Sequence, residues 1–335
     1  MKILLTGGLG FIGSHVASLL GNIENKEITI VDNLSNSNED IFEKILCLSK
    51  NKHSISLVIG DVLDNNFMDD LFKKNSFDSV IHFASLKSVG ESVKYPLMYY
   101  QENINGLLVL LNTMKKYDCY NIIYSSSATV YGSENISPLK ESDKTGLSIS
   151  NPYGQTKYFQ EQILQDFSKV NNEFKITILR YFNPIGAHPL GLIGENPNGI
   201  PNNLFPYILR VSIGKYPRVN IFGNDYNTPD GTCMRDYIHV MDLADAHICA
   251  LENIKSGVSI YNVGTGKPVS VLELIIAFNK NNGISIPYEF APRRDGDVDV
   301  TYADVSKINK ELNWKAKYTI DDMCEHGYFF INQMN

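Results

Sequence analysis

Thr6-Gly7-Gly8-Leu9-Gly10-Phe11-Ile12-Gly13-Ser14-His15 follows the apolar run Lys2–Thr6 and opens an amphipathic stretch, and its reading decides the fold. Glycines at 7, 10 and 13 form a GxxGxxG turn between a strand and a helix. Such a turn needs a residue without Cβ, lets a pyrophosphate approach bare backbone, and lets the helix pack closely on the strand. The N-terminus of that helix offers unpaired N–H groups and a positive dipole end to the phosphates. A glycine motif alone also fits an ordinary turn. The context adds Asp32, about 20 residues on at the end of the second apolar run, where a carboxylate grips ribose hydroxyls. Asp32 would repel a 2′-phosphate, which favours NAD over NADP. The same residue could serve as a turn or cap. Asp61 and Val62 sit where an adenine edge is expected, although a Gly-Asp pair at a strand end is also a common turn.

Working outward, short apolar runs alternate with longer amphipathic ones. Strands are expected at Lys2–Thr6, Glu27–Val31, Ser56–Gly60, Ser79–Phe83, Asn121–Ser125 and Ile176–Tyr181. They are rich in Ile, Val and Leu with little polar alternation, as strands buried on both faces are. Helices are expected between them, at about Ile12–Gly21, Asn38–Ser49, Asn65–Lys73, Met98–Lys116 and Gly154–Val170. This rhythm predicts an α/β fold with a doubly wound parallel sheet of Rossmann type. After Asn183 the texture changes, with dense Pro and Gly from Pro184 to Pro229. Shorter helices follow at about Leu204–Ile213, Asp242–Glu252, Val271–Asn279 and Asp304–Leu312. A late strand, Val258–Val263, is expected to return to the large sheet. The division expected is a dinucleotide-binding domain over 1–183, rejoined by segments around 236–265, and a smaller C-terminal α/β domain over 184–335.

The 335 residues exceed the usual size of a single core. A formal net charge of −7 gives no electrostatic footprint for nucleic acid or an anionic membrane. The five cysteines, Cys47, Cys119, Cys233, Cys249 and Cys324, include no CxxC pair, so neither a disulfide framework nor a zinc site is expected, and no metal. The N-terminus lacks a signal-peptide pattern, and the apolar run Leu107–Leu111 is too short to span a bilayer. A cytoplasmic location is the expectation.

Tyr153-Gly154-Gln155-Thr156-Lys157 places a tyrosine and a lysine on one helical face. A free phenol, with a pKa near ~10, is a poor base at neutral pH. A neighbouring ammonium and a positive nicotinamide ring are expected to stabilise the phenolate and lower that value, as general-base catalysis requires. Lys157 could also hydrogen-bond the nicotinamide ribose. The pair alone could equally be a surface Tyr and Lys. Tyr124-Ser125-Ser126-Ser127-Ala128-Thr129-Val130-Tyr131-Gly132 puts a Ser-rich turn at a strand end, where loop chemistry sits in open α/β sheets. Ser127 could bridge a substrate hydroxyl and Tyr153, or the serines could merely satisfy backbone groups.

With these three motifs in order, the sequence resembles the extended short-chain dehydrogenase/reductase family, and within it closely resembles the UDP-galactose 4-epimerases. The stretches that carry the resemblance are Val31–Ser37, His82–Ser92, Ser125–Gly132, Leu179–His188, Ile221–Tyr226, Arg235–Val240 and Ala291–Arg294, spread over essentially the whole chain. The resemblance implies NAD contacts at Gly7, Gly10, Phe11, Ile12, Gly13, Asp32, Asn33, Asn36, Ser37, Asp61, Val62, Phe83, Ala84, Lys87, Asn103, Tyr153, Lys157 and Phe182. It implies Tyr153, Lys157 and Ser127 as the catalytic groups. It implies a UDP-sugar pocket from Lys87, Ser127, Tyr153, Asn183, Asn203, Leu204, Asn220, Phe222, Arg235, Arg294 and Asp297. Arg235 and Arg294 suit charge-assisted contacts to a diphosphate. Read singly, each could be a solvated arginine, and Phe222 could be core. A homodimer built on the helices near Met98–Lys116 and Gly154–Val170 is also implied.

Some bacterial members carry a bulky Tyr where this chain has Thr301. A smaller side chain leaves room beside the sugar, so UDP-N-acetylhexosamines are expected as substrates beside UDP-glucose and UDP-galactose. The implied chemistry removes a hydride from carbon 4 to NAD and returns it to the opposite face through a transient 4-keto sugar. Other readings are a 4,6-dehydratase, a decarboxylase, or a non-catalytic NAD-binding regulatory module. Dehydratases of the family carry an Asp-Glu pair where this chain has Ala128-Thr129, which counts against the first. A regulatory module is expected to have lost the Tyr or the Lys, and both are present.

Overall fold

The computed structural model describes residues 1–294 and 296–334, which fold as two compact units. The first comprises Met1–Gly132, Thr145–Arg180 and Ala244–Tyr261. Its elements begin β1 (Lys2–Thr6), α1 (Phe11–Leu20), β2 (Glu27–Asp32), α2 (Asp40–Leu48), β3 (Ile55–Ile59) and α3 (Asn65–Lys74). They continue as β4 (Ser79–His82), α4 (Val89–Lys94), α5 (Pro96–Lys116), β5 (Asn121–Ser127), α6 (Pro152–Val170) and β6 (Lys175–Tyr181). Six expected strands and five expected helices therefore form, with ends shifted by one or two residues. The short α4 was not expected. Helix α6 starts at Pro152 rather than Gly154 because Asn151 accepts the Gly154 N–H at 2.9 Å and proline fits the first helical turn.

The second unit comprises Ser133–Lys144, Tyr181–Leu243 and Asn262–Asn335. Beyond β6 the chain forms β7 (Asn183–Ile185), α7 (Leu204–Ser212), β8 (Val219–Phe222), β9 (Met234–His239), α8 (Val240–Glu252) and β10 (Gly257–Val263). Then come β11 (Pro268–Ser270), α9 (Val271–Asn282), β12 (Tyr288–Ala291), β13 (Val300–Thr301), α10 (Ser306–Leu312) and α11 (Ile320–Gln333). Residues 133–144 and 236–243 thus group with the second unit, and 244–261 with the first.

The large parallel sheet runs β10-β6-β5-β4-β1-β2-β3, and β10 is the expected late strand at its edge. The order reverses between β1 and β4, the point at which open α/β sheets bind ligands beyond their strand ends. On one face α5 packs Leu107, Leu110, Leu111 and Met114, at three- and four-residue spacing, against Val80, Ile122, Tyr124, Ile176 and Ile178 of the strands. Burying each such side chain stabilises the fold by roughly 1.5–3 kcal/mol. In the second unit, α7, α9 and α11 enclose a separate core through Phe205, Leu209, Leu274, Phe278, Met323 and Ile331. There β9 pairs with β7, β11 and β13, and β8 pairs with β12.

Candidate active site

Gly7 leaves β1 at φ +69°, and a Cβ there would lie 2.7 Å from the Ala84 nitrogen. Gly13 is equally constrained, since its Cβ would lie 2.6 Å from the Gly7 carbonyl oxygen. These contacts tie the glycine turn to the end of β4, where the Phe83 and Ala84 N–H groups donate to the Thr6 carbonyl. Gly10 precedes α1 with no side-chain cap on the first turn. A Cβ on Gly10 would meet only the Gly7 carbonyl oxygen, so its outer side is open. That is the bare backbone and uncapped helix start a pyrophosphate requires.

Asp32 ends β2 and is 6% exposed. It accepts hydrogen bonds from the Leu9 N–H (3.0 Å), the Leu34 N–H (3.0 Å) and the Ser37 hydroxyl (2.7 Å). It therefore braces the glycine turn and its own following turn. Asn33 donates to Asp61 at 2.9 Å, while Asp61 also accepts the Leu63 N–H, so the turn reading of Asp61 holds locally. The Lys87 ammonium lies 5.6 Å from the Phe11 ring centroid. Asn103 of α5 spans three groups: it accepts the Leu86 N–H at 2.8 Å, donates to the Leu86 carbonyl, and donates to Thr156 of α6. Asn36 and Val62 also lie on these turns and Ile12 at the start of α1; Phe182 is buried in the second unit.

Ser127 closes β5 and accepts the Thr129 N–H at 3.3 Å, so it does satisfy backbone, and it also hydrogen-bonds the Tyr153 phenol. Lys157 is 3% exposed, which removes the surface reading of the Tyr–Lys pair. Among the described residues its ammonium donates to the Ser125 carbonyl at 2.8 Å and lies 5.1 Å from the Tyr124 ring centroid. An ammonium has three donors, so this one can still meet an incoming hydroxyl.

The neighbouring ammonium does not by itself lower the Tyr153 pKa. Burial pushes the phenol up to about 12, and the Ser127 hydrogen bond only partly opposes it. The Lys157 ammonium points to a carbonyl, and burial holds its own pKa down to about 7 against the opposing charge of Glu161. The chain alone therefore keeps Tyr153 protonated at neutral pH.

Supporting groups were missed in the sequence. Gln160 accepts the Tyr124 hydroxyl at 2.7 Å and donates to the Asn103 carbonyl, joining α6, β5 and α5. His82 faces the Thr6 hydroxyl at 2.7 Å, and burial and the Lys157 charge hold its pKa down to about 3. Glu161 and Arg180 form a buried ion pair. A charged residue inside an apolar strand, as Arg180 is, was the available signal.

The second unit assembles part of the expected sugar-nucleotide set. Asp297 lies 3.0 Å from Arg294 and 3.6 Å from Arg235. Arg235 also donates to the Met234 and Val298 carbonyls, which fixes its guanidinium. Arg294 lies over the Phe222 ring, 4.8 Å from its centroid. Phe222 is 37% exposed, so the core reading fails. Thr301 pairs in register with Arg235. Asn220 lies on β8, and Asn203 and Leu204 lie at the start of α7. Asn183 is exposed at the start of β7. Among the described residues no group of three or more His, Cys, Asp or Glu could hold a metal ion, and no helix is long and apolar enough to cross a membrane.

A glycine turn at the sheet's switch point, an acid after β2 and a Ser–Tyr–Lys set define the class, a dinucleotide-dependent enzyme of short-chain dehydrogenase/reductase type. Residues 4–327 match the family model described as GDP-mannose 4,6 dehydratase, and the chain belongs to that extended short-chain dehydrogenase/reductase family, among its UDP-glucose 4-epimerase relatives. It is 50% identical to the UDP-glucose 4-epimerase of Pasteurella multocida (strain Pm70), over 97% of this chain and 96% of that one. It is 48% identical to the Bacillus subtilis (strain 168) UDP-glucose 4-epimerase, over 98% and 96%. A crystal structure of the Bifidobacterium longum UDP-glucose 4-epimerase, in complex with NAD+ and UDP, superimposes with a TM-score of 0.95 at 47% identity, covering 99% of this chain and 98% of that one.

Proposed function

We propose that the chain is an NAD-dependent UDP-hexose 4-epimerase that interconverts UDP-glucose and UDP-galactose. The observation that carries this reading is the intact Ser127–Tyr153–Lys157 set, beside an open glycine turn, in a chain half identical to a UDP-glucose 4-epimerase. Gly7, Gly10, Gly13, Asp32, Asn103 and Lys157 would hold NAD; their uncapped backbone, carboxylate and free ammonium donors fit its pyrophosphate and ribose groups. When bound, NAD supplies a reversible two-electron oxidant and a cationic ring.

Tyr153 takes the proton of the sugar 4-hydroxyl, with Ser127 in the hydrogen-bond path. Lys157 holds positive charge behind that path and favours the phenolate. Arg235 and Arg294 grip the diphosphate, so binding energy remote from carbon 4 retains the sugar while its ring turns over. The 4,6-dehydratase reading lacks an acid–base pair, because Ala128-Thr129 occupies the turn after β5. Incubation of the purified chain with UDP-galactose should yield UDP-glucose and no 4-keto-6-deoxy product; the converse result would overturn the assignment.

Thr301, beside Arg235, supports acceptance of UDP-N-acetylglucosamine and UDP-N-acetylgalactosamine as well. A chain that turns over UDP-galactose but leaves saturating UDP-N-acetylgalactosamine untouched would refute that extension. We also assign a homodimer formed through α5 and α6, on which Leu97, Leu108 and Phe159 are exposed, and a cytoplasmic location. Sedimentation should give twice the chain mass.

A further inference from the structure

Tyr153, Lys157 and Glu161 succeed one another at four-residue spacing, so they share one face of α6. A lysine and a glutamate four apart on a helix are neighbours close enough to pair. Here they do not. Lys157 donates to the Ser125 carbonyl at 2.8 Å, and the Glu161 carboxylate is engaged elsewhere. Arg180 of β6 donates through Nε to Oε1 at 3.0 Å and through Nη2 to Oε2 at 2.6 Å. Ser126 of β5 donates to Oε1 at 2.5 Å. Both oxygens are thus occupied from two strands, with the side chains of Arg180 and Glu161 at 3% and 0% exposure. The guanidinium also lies 4.8 Å from the Tyr131 ring centroid, which fixes its plane.

We propose that Arg180 and Glu161 are positioning residues for the reacting site: by occupying the Glu161 carboxylate, Arg180 prevents Lys157 from folding back onto it and keeps the ammonium on β5, beside Ser127 and Tyr153. The proposal rests on the reading of Tyr153 and Lys157 given above. Other packing could hold α6 equally well. What the ion pair adds is removal of a buried anion that competes for Lys157. The carboxylate still contributes charge at a distance, raising the Lys157 pKa against burial.

The test compares the NAD-loaded wild-type chain with Arg180→Met, Arg180→Lys and the double variant Glu161→Gln/Arg180→Met. Arg180→Met should lower kcat for UDP-galactose at least ~100-fold with KM changed less than ~3-fold. The double variant removes the competing anion, so it should recover at least ~10-fold of that loss; a merely structural pair would give no recovery. Arg180→Lys keeps the charge but not the fork, and should lose about 10-fold, which keeps the test open where Arg180→Met does not fold. Crystal structures of the folded variants supply a readout independent of turnover. The Lys157 ammonium should leave the Ser125 carbonyl for Glu161 in the single variants and return in the double. That displacement is visible even in a chain inactive toward UDP-galactose, so a wrong functional reading and a wrong proposal give different results. A double variant no more active than Arg180→Met, or Lys157 unmoved in the single variants, would overturn the proposal.

Discussion

Replacing Lys157 with methionine should flatten the pH dependence of stability, because the structure buries an ammonium that the unfolded chain exposes. Burial lowers the Lys157 pKa from 10.5 to about 7 in the folded protein. Between those values the unfolded chain binds the proton and the folded chain does not, so stability rises with pH across that window and is flat below it. At about 1.4 kcal/mol per tenfold change in proton affinity, the drop from 10.5 to about 7 sets a ceiling of about 5 kcal/mol on the cost of charging the folded site. Methionine keeps most of the packing volume and removes that cost. Wild type should therefore gain on Lys157→Met by about 1.4 kcal/mol per pH unit through the middle of the window. Urea denaturation of the NAD-free chain at pH 6, 7, 8 and 9 measures the difference directly. Two curves that run parallel from pH 7 to 9 would refute the argument. The same variant should lose nearly all turnover, so the residue would cost stability and supply chemistry.

Tyr153→Phe removes the proton acceptor alone and should lower kcat about 10³-fold, within the range general-base catalysis supplies; calorimetric titration should find UDP affinity within about threefold of wild type. Arg235→Gln takes one arginine from Asp297 and from the expected diphosphate and should raise KM for UDP-galactose by roughly 10–100-fold, the worth of a charge-assisted hydrogen bond; steady-state kinetics with kcat held near wild type would show it. Gly7→Ala places a Cβ 2.7 Å from the Ala84 nitrogen at φ +69°, so it should cost at least ~1–3 kcal/mol in urea denaturation and lower the NAD released on heating the purified chain.

The first unit was legible because most of its strands are buried on both faces. Runs such as Glu27–Asp32 and Lys175–Tyr181 carry the apolar density that defines them. The strands of the second unit resisted the same reading, although its helices α7, α9 and α10 form where they were expected. Strand β9, Met-Arg-Asp-Tyr-Ile-His, has no apolar run, and Asp236 within it is buried only because Thr265, Gly266 and Ala303 supply four hydrogen bonds. Those donors lie 29, 30 and 67 residues away, and no local pattern predicts them. Strands of two to four residues, such as β7, β11 and β13, are below the length at which alternation can be judged. Helix α11 was missed although its signal was present: Thr319 and Asp322 form a capping box three residues apart. Glu161 was on the face already drawn through Tyr153 and Lys157, yet its partner is set by where β6 joins the sheet, which spacing cannot show.

The corrected Tyr153 pKa bears on how this chain organises charge. A phenol held near 12 and an ammonium held near 7 are both kept from ionising by the same burial. A cation brought close to the phenol would oppose that penalty, because an opposite charge favours the phenolate. Neutral His82 on β4 adds no charge to the balance, and Arg180 and Glu161 compensate one another. The site thus carries little net charge of its own, so an added cation has a large effect on the Tyr153 phenol. Base strength at Tyr153 should consequently follow dinucleotide occupancy: the loaded chain should titrate its phenol at lower pH than the empty one, as ultraviolet difference spectra of wild type against Tyr153→Phe would record. Equal phenol titrations in the two states would mean that the chain, and not the bound cation, sets the acidity of the base.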